Sequence, residues 1–331
     1  MAWFVPAFLI SLASGLYWSP VMARTARQLG IVDRPDGNLK SHGDPVPYLG
    51  GLAVFIAFLT GVGLFTSFAQ ETLGLLLSGT IILMVGLVDD FGALRPHQKL
   101  LGQTLAALVL IKSGVFIRLE FLPISVAIPL TVVWILSVTN AFNIIDVMDG
   151  LAAGVAFLAA LAIAVANVMV GRESIALLSI VLAGSVLGFL RSNFHPAKIY
   201  LGDAGSLFIG FMLAALSMNA GYTRFNLVAA ISPALILGVP LFDLVFVMYV
   251  RWKKGVPVMT GSPDHFALRL QRCRLSVRET AVVSYVMTGM LGGTALLISQ
   301  MPLQLATAII AGAVSMALIT AFLLMKVDAD P

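Results

Sequence analysis

Long apolar segments alternate with short polar ones along the chain. An α-helix needs about 20 apolar residues to cross the roughly 30 Å hydrocarbon layer of a bilayer. Runs of this kind, some of them shorter, predict eleven membrane-spanning helices. They lie near residues 3–22, 48–68, 73–88, 100–117, 122–138, 151–170, 174–190, 205–220, 227–249, 279–299 and 303–325. The pattern therefore predicts an all-α, polytopic integral membrane protein.

A row of four polar residues interrupts the apolar pattern near the middle of the chain. Asn140, Asn143, Asp146 and Asp149 are spaced three apart between two long apolar runs. On a straight helix a three-residue row drifts by about 60° per step, which would turn part of it into lipid. The row therefore predicts a short or broken helix that lines a water-filled cavity. A polar loop between two helices is the alternative interpretation.

Composition agrees with a membrane protein and excludes other classes. The chain is 59% hydrophobic and 11% charged, with a mean hydropathy of +0.99, which the surface of a soluble domain of this length would not tolerate. A formal charge of +4 without a basic patch argues against nucleic acid as a partner. The single cysteine, Cys273, excludes an intrachain disulfide and a cysteine metal cluster.

The positive residues predict how the chain is oriented. If the amino terminus lies outside, cytoplasmic segments hold sixteen of the 20 Lys and Arg residues, as the positive-inside rule requires. The carboxyl terminus is then cytoplasmic. The first apolar run lacks a basic segment before it and is followed by Arg24 and Arg27, so we expect a retained span. We expect residues 1–331 to form one transmembrane domain.

The acidic residues gather on the same predicted face. Asp89-Asp90, the Asn140–Asp149 row, Asp203 and Asp264-His265 all fall at cytoplasmic loops or span ends. A one-sided cluster favours an enzyme site open to the cytosol. A lipid-phosphate transporter or flippase, the alternative from another class, should carry polar residues through the spans themselves.

Two of these segments suggest phosphate and metal chemistry. Asp89 and Asp90 repel each other at the end of an apolar run, so we expect Mg²⁺ or a basic partner such as Lys99 beside them. The turn at 202–206 leads into the eighth run and contains Asp203. Its backbone N–H groups suit a phosphate and its aspartate a metal, although a helix cap explains the same residues.

Two further segments are more ambiguous. The first cytoplasmic loop contains Lys40 and His42 between Pro- and Gly-rich turns, and it would either grip a pyrophosphate or serve as a stiff connector. Asp243 is the one acid within an apolar run and should pair internally. We expect Pro240 to bend the helix at this point.

The ordered set of motifs resembles the polyprenyl-phosphate N-acetylhexosamine-1-phosphate transferases. The resemblance covers about residues 24–275 and rests on five segments in family order. They are His42 to Gly51, Asp89-Asp90 with Lys99, Asn140-x-x-Asn143-x-x-Asp146-x-x-Asp149-Gly150, Asn193-x-x-Pro196-Ala197 with Gly202-Asp203-x-Gly205-Ser206, and Pro240-x-x-Asp243.

The resemblance implies an enzyme that moves an N-acetylhexosamine 1-phosphate from a UDP-sugar to polyprenyl phosphate, typically undecaprenyl phosphate, with Mg²⁺ or Mn²⁺, and releases UMP. It implies that Asp203 is a metal ligand and that Asp89 and Asp90 orient or deprotonate the acceptor. A phosphate monoester is mostly dianionic at pH 7 and scarcely needs a general base, so we favour positioning and metal electrostatics. A covalent aspartyl-phosphate intermediate is the alternative.

The expected site residues follow from this resemblance. Catalytic roles are expected for Asp89, Asp90, Asp146, Asp203 and His265, with Asp146 and Asp203 as metal ligands. Substrate contacts are expected for Lys40, His42, Lys99, Asn140, Asn143, Asp149, Asn193 and Arg269.

The last cytoplasmic loop departs from the family pattern. Where the family has an acid followed by His-x-His-His, this chain reads Asp264-His265-Phe266-Ala267-Leu268-Arg269. We expect Arg269 to replace part of the missing donors by offering its planar fork to the UDP diphosphate, with membrane anchoring as the alternative. The expected donor is UDP-N-acetylglucosamine, with UDP-linked muramoyl-pentapeptide as the alternative. The expected location is a bacterial plasma membrane, and a homodimer is left open.

Overall fold

A computed structural model of the chain describes residues 1–33, 45–92, 94–218, 221–224, 226–257 and 263–327. These residues form thirteen α-helices, two 3₁₀ turns and one pair of short strands. The α-helices are α1 (Phe4–Leu29), α2 (Gly50–Phe65), α3 (Gln70–Asp90), α4 (Pro96–Lys112), α5 (Ile124–Ile145), α6 (Leu151–Met169), α7 (Glu173–Asn193), α8 (Gly202–Ser217), α9 (Ser232–Ile236), α10 (Gly238–Lys254), α11 (Phe266–Arg272), α12 (Val277–Ile298) and α13 (Leu303–Met325). The 3₁₀ turns are Tyr222–Arg224 and Leu227–Ile231, and the strands are β1 (Val32–Asp33) and β2 (Val46–Pro47).

Every predicted apolar run is occupied by helix, which confirms an all-α membrane protein. Among the described residues, seven helices are long and apolar enough to cross a bilayer: α1, α3, α5, α6, α7, α12 and α13. Three of the other four runs hold α2, α4 and α8. The fourth holds two helical segments, Leu227–Ile236 and Gly238–Lys254, which meet at a bend. Helices α2 and α8 have 16 residues each, about 24 Å of helix. A complete crossing by these four elements therefore stays a prediction.

The ninth apolar run is broken in the turn that precedes Pro240. The segments Leu227–Ile236 and Gly238–Lys254 meet at an angle of 79°, so the chain turns at Leu237. Pro240 lies in the first turn of α10, where a backbone N–H would have no partner within the helix and proline is tolerated. The predicted bend is confirmed, because proline has no N–H to bond the carbonyl four residues earlier, and that carbonyl belongs to Ile236, the last residue of α9.

Helix α8 lies inside the bundle, packed against α2, α3 and α5. Its residues from Ala204 to Ser217 are all buried. A Cβ on Gly51 of α2 would lie 2.2 Å from the Gly205 backbone nitrogen, and a Cβ on Gly86 of α3 would lie 2.4 Å from Ala204 Cα. Such close approach is open only to a residue without a side chain. The start of α8 is therefore held between α2 and α3.

A short ladder ties the loop between α1 and α2 to the connection between α7 and α8. Strands β1 and β2 pair antiparallel, and the Tyr200 N–H donates to the Pro47 carbonyl at 2.8 Å. Residues 34–44, which contain Lys40 and His42, lie outside the described residues. The predicted pyrophosphate contact of these two side chains therefore stays a prediction.

We expect Gly51→Ala to lower the melting temperature of the purified protein. The new methyl group must displace the backbone of α8, and overpacking of this kind costs about 1–3 kcal/mol. Gly63→Ala on the same helix is the matched control, because a Cβ there meets nothing within 4 Å and alanine favours a helix over glycine. Thermal unfolding followed by intrinsic fluorescence measures both variants. Equal melting temperatures would contradict this account of how α8 is held.

Candidate active site

The end of a helix divides the polar row of the sequence. Asn140 and Asn143 lie on the last turns of α5, whereas Asp146 and Asp149 follow in the connection to α6. Gly150 completes the connection with a φ of 75°, a left-handed conformation that glycine adopts at little cost. The helix ends within the row as predicted, but Asp146 and Asp149 lie in a loop, as in the alternative interpretation, and the water-filled cavity stays a prediction. Because α5 stops within the row, its later members do not rotate towards lipid.

One lysine gathers polar groups from three other helices. The Nζ atom of Lys99 on α4 lies 2.7 Å from Asp89 Oδ2 on α3 and 3.2 Å from Asp203 Oδ2 on α8. It also donates to Asn143 Oδ1 on α5 at 2.9 Å. The Asn143 Nδ2 group donates to Asp203 Oδ1 at 2.6 Å and to Ser206 Oγ at 3.0 Å. The structure thus brings Asp89 and Asp203 together, although they are more than a hundred positions apart. Lys99 is the basic partner that the sequence predicted for Asp89.

Asp90 occupies the N-terminal end of α8. Its Oδ1 accepts the Asp203 N–H at 2.6 Å and its Oδ2 accepts the Ala204 N–H at 3.1 Å. A carboxylate in this position satisfies unpaired N–H groups and interacts favourably with the helix dipole. The prediction that these N–H groups are available to a phosphate is therefore wrong, because Asp90 already occupies them. Asp90 itself is placed to position α8.

Asp146 is the carboxylate of this group with the fewest partners. Among the described residues no hydrogen bond or ion pair reaches its side chain. Burial, and then the negative charges of Asp203, Asp90 and Asp149, raise the pKa of Asp146 to about 8. A carboxyl group in such surroundings is stabilised in its charged form by a nearby cation.

The residues at this site suit a divalent cation that is bound together with substrate. Within the described part of the chain, no three His, Cys, Asp or Glu side chains are arranged as a preformed metal cluster. Mg²⁺ commonly needs only one or two carboxylates, with substrate phosphates and water completing its ligands. Asp146 has oxygens without partners, and Asp203 lies close enough to raise its pKa. These two residues therefore fit such an ion by their chemistry.

Asp149 and Asn193 fasten the connection after α5 to the connection after α7. Asp149 Oδ2 lies 2.7 Å from His195 Nδ1 and accepts the Ala197 N–H at 3.0 Å. Asn193 is buried, and its Oδ1 accepts the Gly150 N–H at 3.1 Å. The other end of the Asn193 side chain donates to the Ile199 carbonyl at 3.0 Å. Both residues therefore hold loops together, and a direct substrate contact for either stays a prediction.

Sequence reasoning missed three residues that hold these elements in place. His195 pairs with Asp149, and Tyr285 of α12 donates to the Gly150 carbonyl at 2.6 Å. Gln103 exchanges two hydrogen bonds with Asn140, of 3.2 and 2.7 Å. Gln103 lies four positions after Lys99, on the same helix face, so helical spacing was the available signal. Asn140 is used in this amide pair, and its expected substrate contact stays a prediction.

His265 is buried in a pair of its own. Its Nδ1 lies 2.9 Å from Asp243 Oδ2, and the Phe266 N–H donates to Asp243 Oδ1 at 2.8 Å. The prediction that Asp243 pairs internally is confirmed. Among the described residues no hydrogen bond or ion pair joins His265 to the aspartates around Lys99. This placement does not support the expected catalytic role, because the imidazole is used to fix α11 against α10.

Arg269 does not offer its donors to a diphosphate in this structure. Its side chain is 4% exposed, and Nη2 donates to Asp264 Oδ1 at 3.1 Å. Nη1 donates to the carbonyls of Leu324 and Val327 at the end of α13, and the guanidinium lies over the Phe246 ring at 5.3 Å. The expected diphosphate contact is therefore corrected: Arg269 links α11 to the last helix.

The fold and the site together define a polytopic helical membrane protein in which carboxylates meet a lysine at helix ends. The model of the family described as glycosyl transferase family 4 matches residues 72–221. A probable undecaprenyl-phosphate N-acetylglucosaminyl 1-phosphate transferase of Bacillus subtilis is 37% identical over 295 residues, which are 85% of this chain and 81% of the relative. The chain therefore belongs to glycosyl transferase family 4.

Two further relatives broaden this comparison. A decaprenyl-phosphate N-acetylglucosaminephosphotransferase of Mycobacterium tuberculosis is 33% identical over 302 residues, covering 80% of this chain and 74% of the relative. A phospho-N-acetylmuramoyl-pentapeptide-transferase of a Thermoanaerobacter strain is 30% identical over 262 residues, covering 73% of this chain and 78% of the relative. The family resemblance predicted from the motifs is confirmed.

We expect Asp90→Ala to destabilise the protein more than Asp89→Ala. The first substitution leaves two N–H groups at the start of α8 without their acceptor, a loss of about 1–2 kcal/mol for a helix cap. The second removes only one of the three partners of Lys99. Thermal unfolding of the two purified variants compares them. Equal or reversed losses would contradict the capping role of Asp90.

Proposed function

We propose that this protein transfers N-acetylglucosamine 1-phosphate from UDP-N-acetylglucosamine to a polyprenyl phosphate such as undecaprenyl phosphate. The products are polyprenyl-diphospho-N-acetylglucosamine and UMP, and the reaction begins the membrane stage of an envelope glycan. The observation that carries this proposal is the group of aspartates around Lys99 at the ends of apolar helices, where a lipid phosphate can meet a soluble nucleotide. The names of the Bacillus and Mycobacterium relatives support the prenyl acceptor and the sugar.

The chemistry is one phosphoryl transfer without water. An oxygen of the prenyl phosphate forms a bond to the phosphorus that carries the sugar, and the bond from that phosphorus to the UMP oxygen breaks. UMP leaves with the bonding electrons. The acceptor is mostly a dianion at neutral pH, so no side chain has to remove a proton from it. The protein's task is therefore to align the two phosphates and to offset their repulsion.

The residues of the site divide this task. Asp146 and Asp203 would hold Mg²⁺, or Mn²⁺ in its place, and the ion supplies positive charge to the diphosphate of the donor. Lys99 brings a second positive charge to the same place and is itself held by Asp89. Asp90 fixes the start of α8, and with it the backbone of Asp203.

The site faces the cytosol of a bacterial plasma membrane in this proposal, with the amino terminus outside. The distribution of Lys and Arg over alternate loops supports this orientation. A cytosolic site also agrees with the supply of nucleotide sugars, which are charged and do not cross a bilayer unaided.

We expect the purified protein to release UMP from UDP-N-acetylglucosamine only when undecaprenyl phosphate and Mg²⁺ are both present. Asp203→Asn should lower kcat at least about a hundredfold, because the amide keeps the shape of the side chain and loses its charge. Glu71→Gln, an exposed acid at the opposite end of α3, is the matched control and should retain activity. UMP release with UDP-muramoyl-pentapeptide alone, or normal turnover by Asp203→Asn, would contradict the assignment.

The single cysteine tests the orientation without any substitution. Cys273 is exposed and lies in the last predicted cytoplasmic segment, after α11. We expect a membrane-impermeant maleimide to label it in lysed cells and not in intact ones. A cysteine placed at Arg172, between α6 and α7, in a Cys273→Ser background should be labelled in intact cells. The reverse pattern would invert the proposed topology.

A further inference from the structure

An open groove of about 660 Å³ lies between α1 and α7, beside the connection from α7 to α8. Leu12 and Leu16 of α1 and Leu187 and Leu190 of α7 line its apolar part. The two helices touch at this place, since a Cβ on Gly188 would lie 2.5 Å from the Leu12 carbonyl oxygen and 2.8 Å from the Leu16 nitrogen. The groove therefore runs along the surface of the contact between α1 and α7, where an apolar chain of the bilayer can lie.

Three cations lie at one end of this groove. Arg191, Lys198 and Arg278 contribute to its lining, and no aspartate or glutamate does so among the described residues. The side chains of Arg191 and Lys198 are exposed and form no hydrogen bond or ion pair within the described part of the chain. Among the described residues, the Arg278 side chain donates to the His195 carbonyl alone, at 3.1 Å. The groove thus combines hydrocarbon walls with positive charge that no described acidic side chain neutralises.

Three cations elsewhere on the same predicted face have acidic partners. Lys99 pairs with Asp89, and both Lys254 and Arg269 pair with Asp264. Crowded like charges repel one another, and an anion between them removes this cost. The unpaired cations of the groove therefore favour an external anion.

We propose that this groove binds an anionic glycerophospholipid of the surrounding membrane, with phosphatidylglycerol as the defining case. Its phosphate lies between Arg191, Lys198 and Arg278, where guanidinium groups donate paired hydrogen bonds to phosphate oxygens. One acyl chain lies along the four leucines and buries their apolar surface. A zwitterionic lipid binds less well, because its ammonium group brings a further positive charge to this end of the groove.

The bound headgroup also supports a segment that reaches the aspartates. Arg278 holds the His195 carbonyl, and the His195 ring lies 2.7 Å from Asp149. A phosphate that fixes Arg278 and Lys198 restrains residues 193–200 from the lipid side. The binding itself does not depend on the proposed transferase activity, so its test is independent of that activity.

Lipid titration followed by native mass spectrometry tests the proposal. The purified protein is titrated with phosphatidylglycerol and, separately, with phosphatidylcholine of the same acyl chains. In the double variant Arg191→Gln/Lys198→Gln, affinity for phosphatidylglycerol should fall by about tenfold or more, because two cations near the headgroup are lost. The control Arg24→Gln/Lys253→Gln removes the same charge from exposed positions outside the groove and should leave the affinity unchanged.

A second variant probes the apolar part of the groove. Leu187→Trp adds volume between α1 and α7 without changing charge, so it should weaken phosphatidylglycerol binding several-fold. Amide hydrogen exchange should show that phosphatidylglycerol protects residues 193–200 in the wild-type protein and not in the charge variant.

Three outcomes would overturn the proposal. If both double variants lost the same affinity for phosphatidylglycerol, the effect would come from general surface charge and not from the groove. If the wild-type protein bound phosphatidylcholine as tightly as phosphatidylglycerol, the lipid would be held by its acyl chains alone. Displacement of phosphatidylglycerol by equimolar undecaprenyl phosphate would make the groove an acceptor site instead.

Discussion

Holding several carboxylates together at the ends of apolar helices is costly, and the arrangement of this protein depends on how that cost is offset. Asp89 shares a lysine with Asp203, and Asp90 accepts two backbone N–H groups. Asn143 supplies a neutral donor to Asp203. Asp89 and Asp203 thus depend on the same lysine, whereas Asp90 depends on backbone N–H groups. Asp146 has none within the described residues, which leaves one carboxylate for the cation of the proposed reaction.

In the proposed function, the same arrangement determines which groups can contact a substrate phosphate. A helix start such as that of α8 is a common anion site, but here Asp90 is the anion. In the proposed function, recognition of substrate phosphates is therefore assigned to side chains and a bound cation instead of these two backbone N–H groups. The exact place of α8 depends in turn on Gly51 and Gly86, because side chains there would push α2 and α3 away from it. Electrostatics and close packing thus act on one short helix.

Several charged side chains around the segment between α10 and α12 point into the protein. Asp243 holds His265, and Asp264 holds Arg269, which also reaches the end of α13. These contacts join α10, α11 and α13, the helices that follow the break at Leu237. Because these side chains hold helices together, the proposed donor recognition is assigned to the segments between α3 and α8, the stretch that the family model also covers.

The sequence by itself determined the class of protein, the place of its helices and the chemical type of its site. Apolar runs form helix because a chain in hydrocarbon must satisfy its own backbone groups, and charge bias predicts orientation from the loops alone. Asp89, Asn143 and Asp203 could be identified in the same way, because an acid or amide at the end of an apolar run is visible from its neighbours in the sequence.

Only the tertiary structure decided which groups are partners. Lys99 and Asp203 are 104 positions apart, and the capping role of Asp90, the Gln103 amide pair and the inward turn of Arg269 all arise from contacts between distant segments. Helix periodicity is set by neighbouring residues and can be read from the chain. The choice among several nearby acids, amides and carbonyls depends on distances of a few tenths of an ångström, which packing alone fixes.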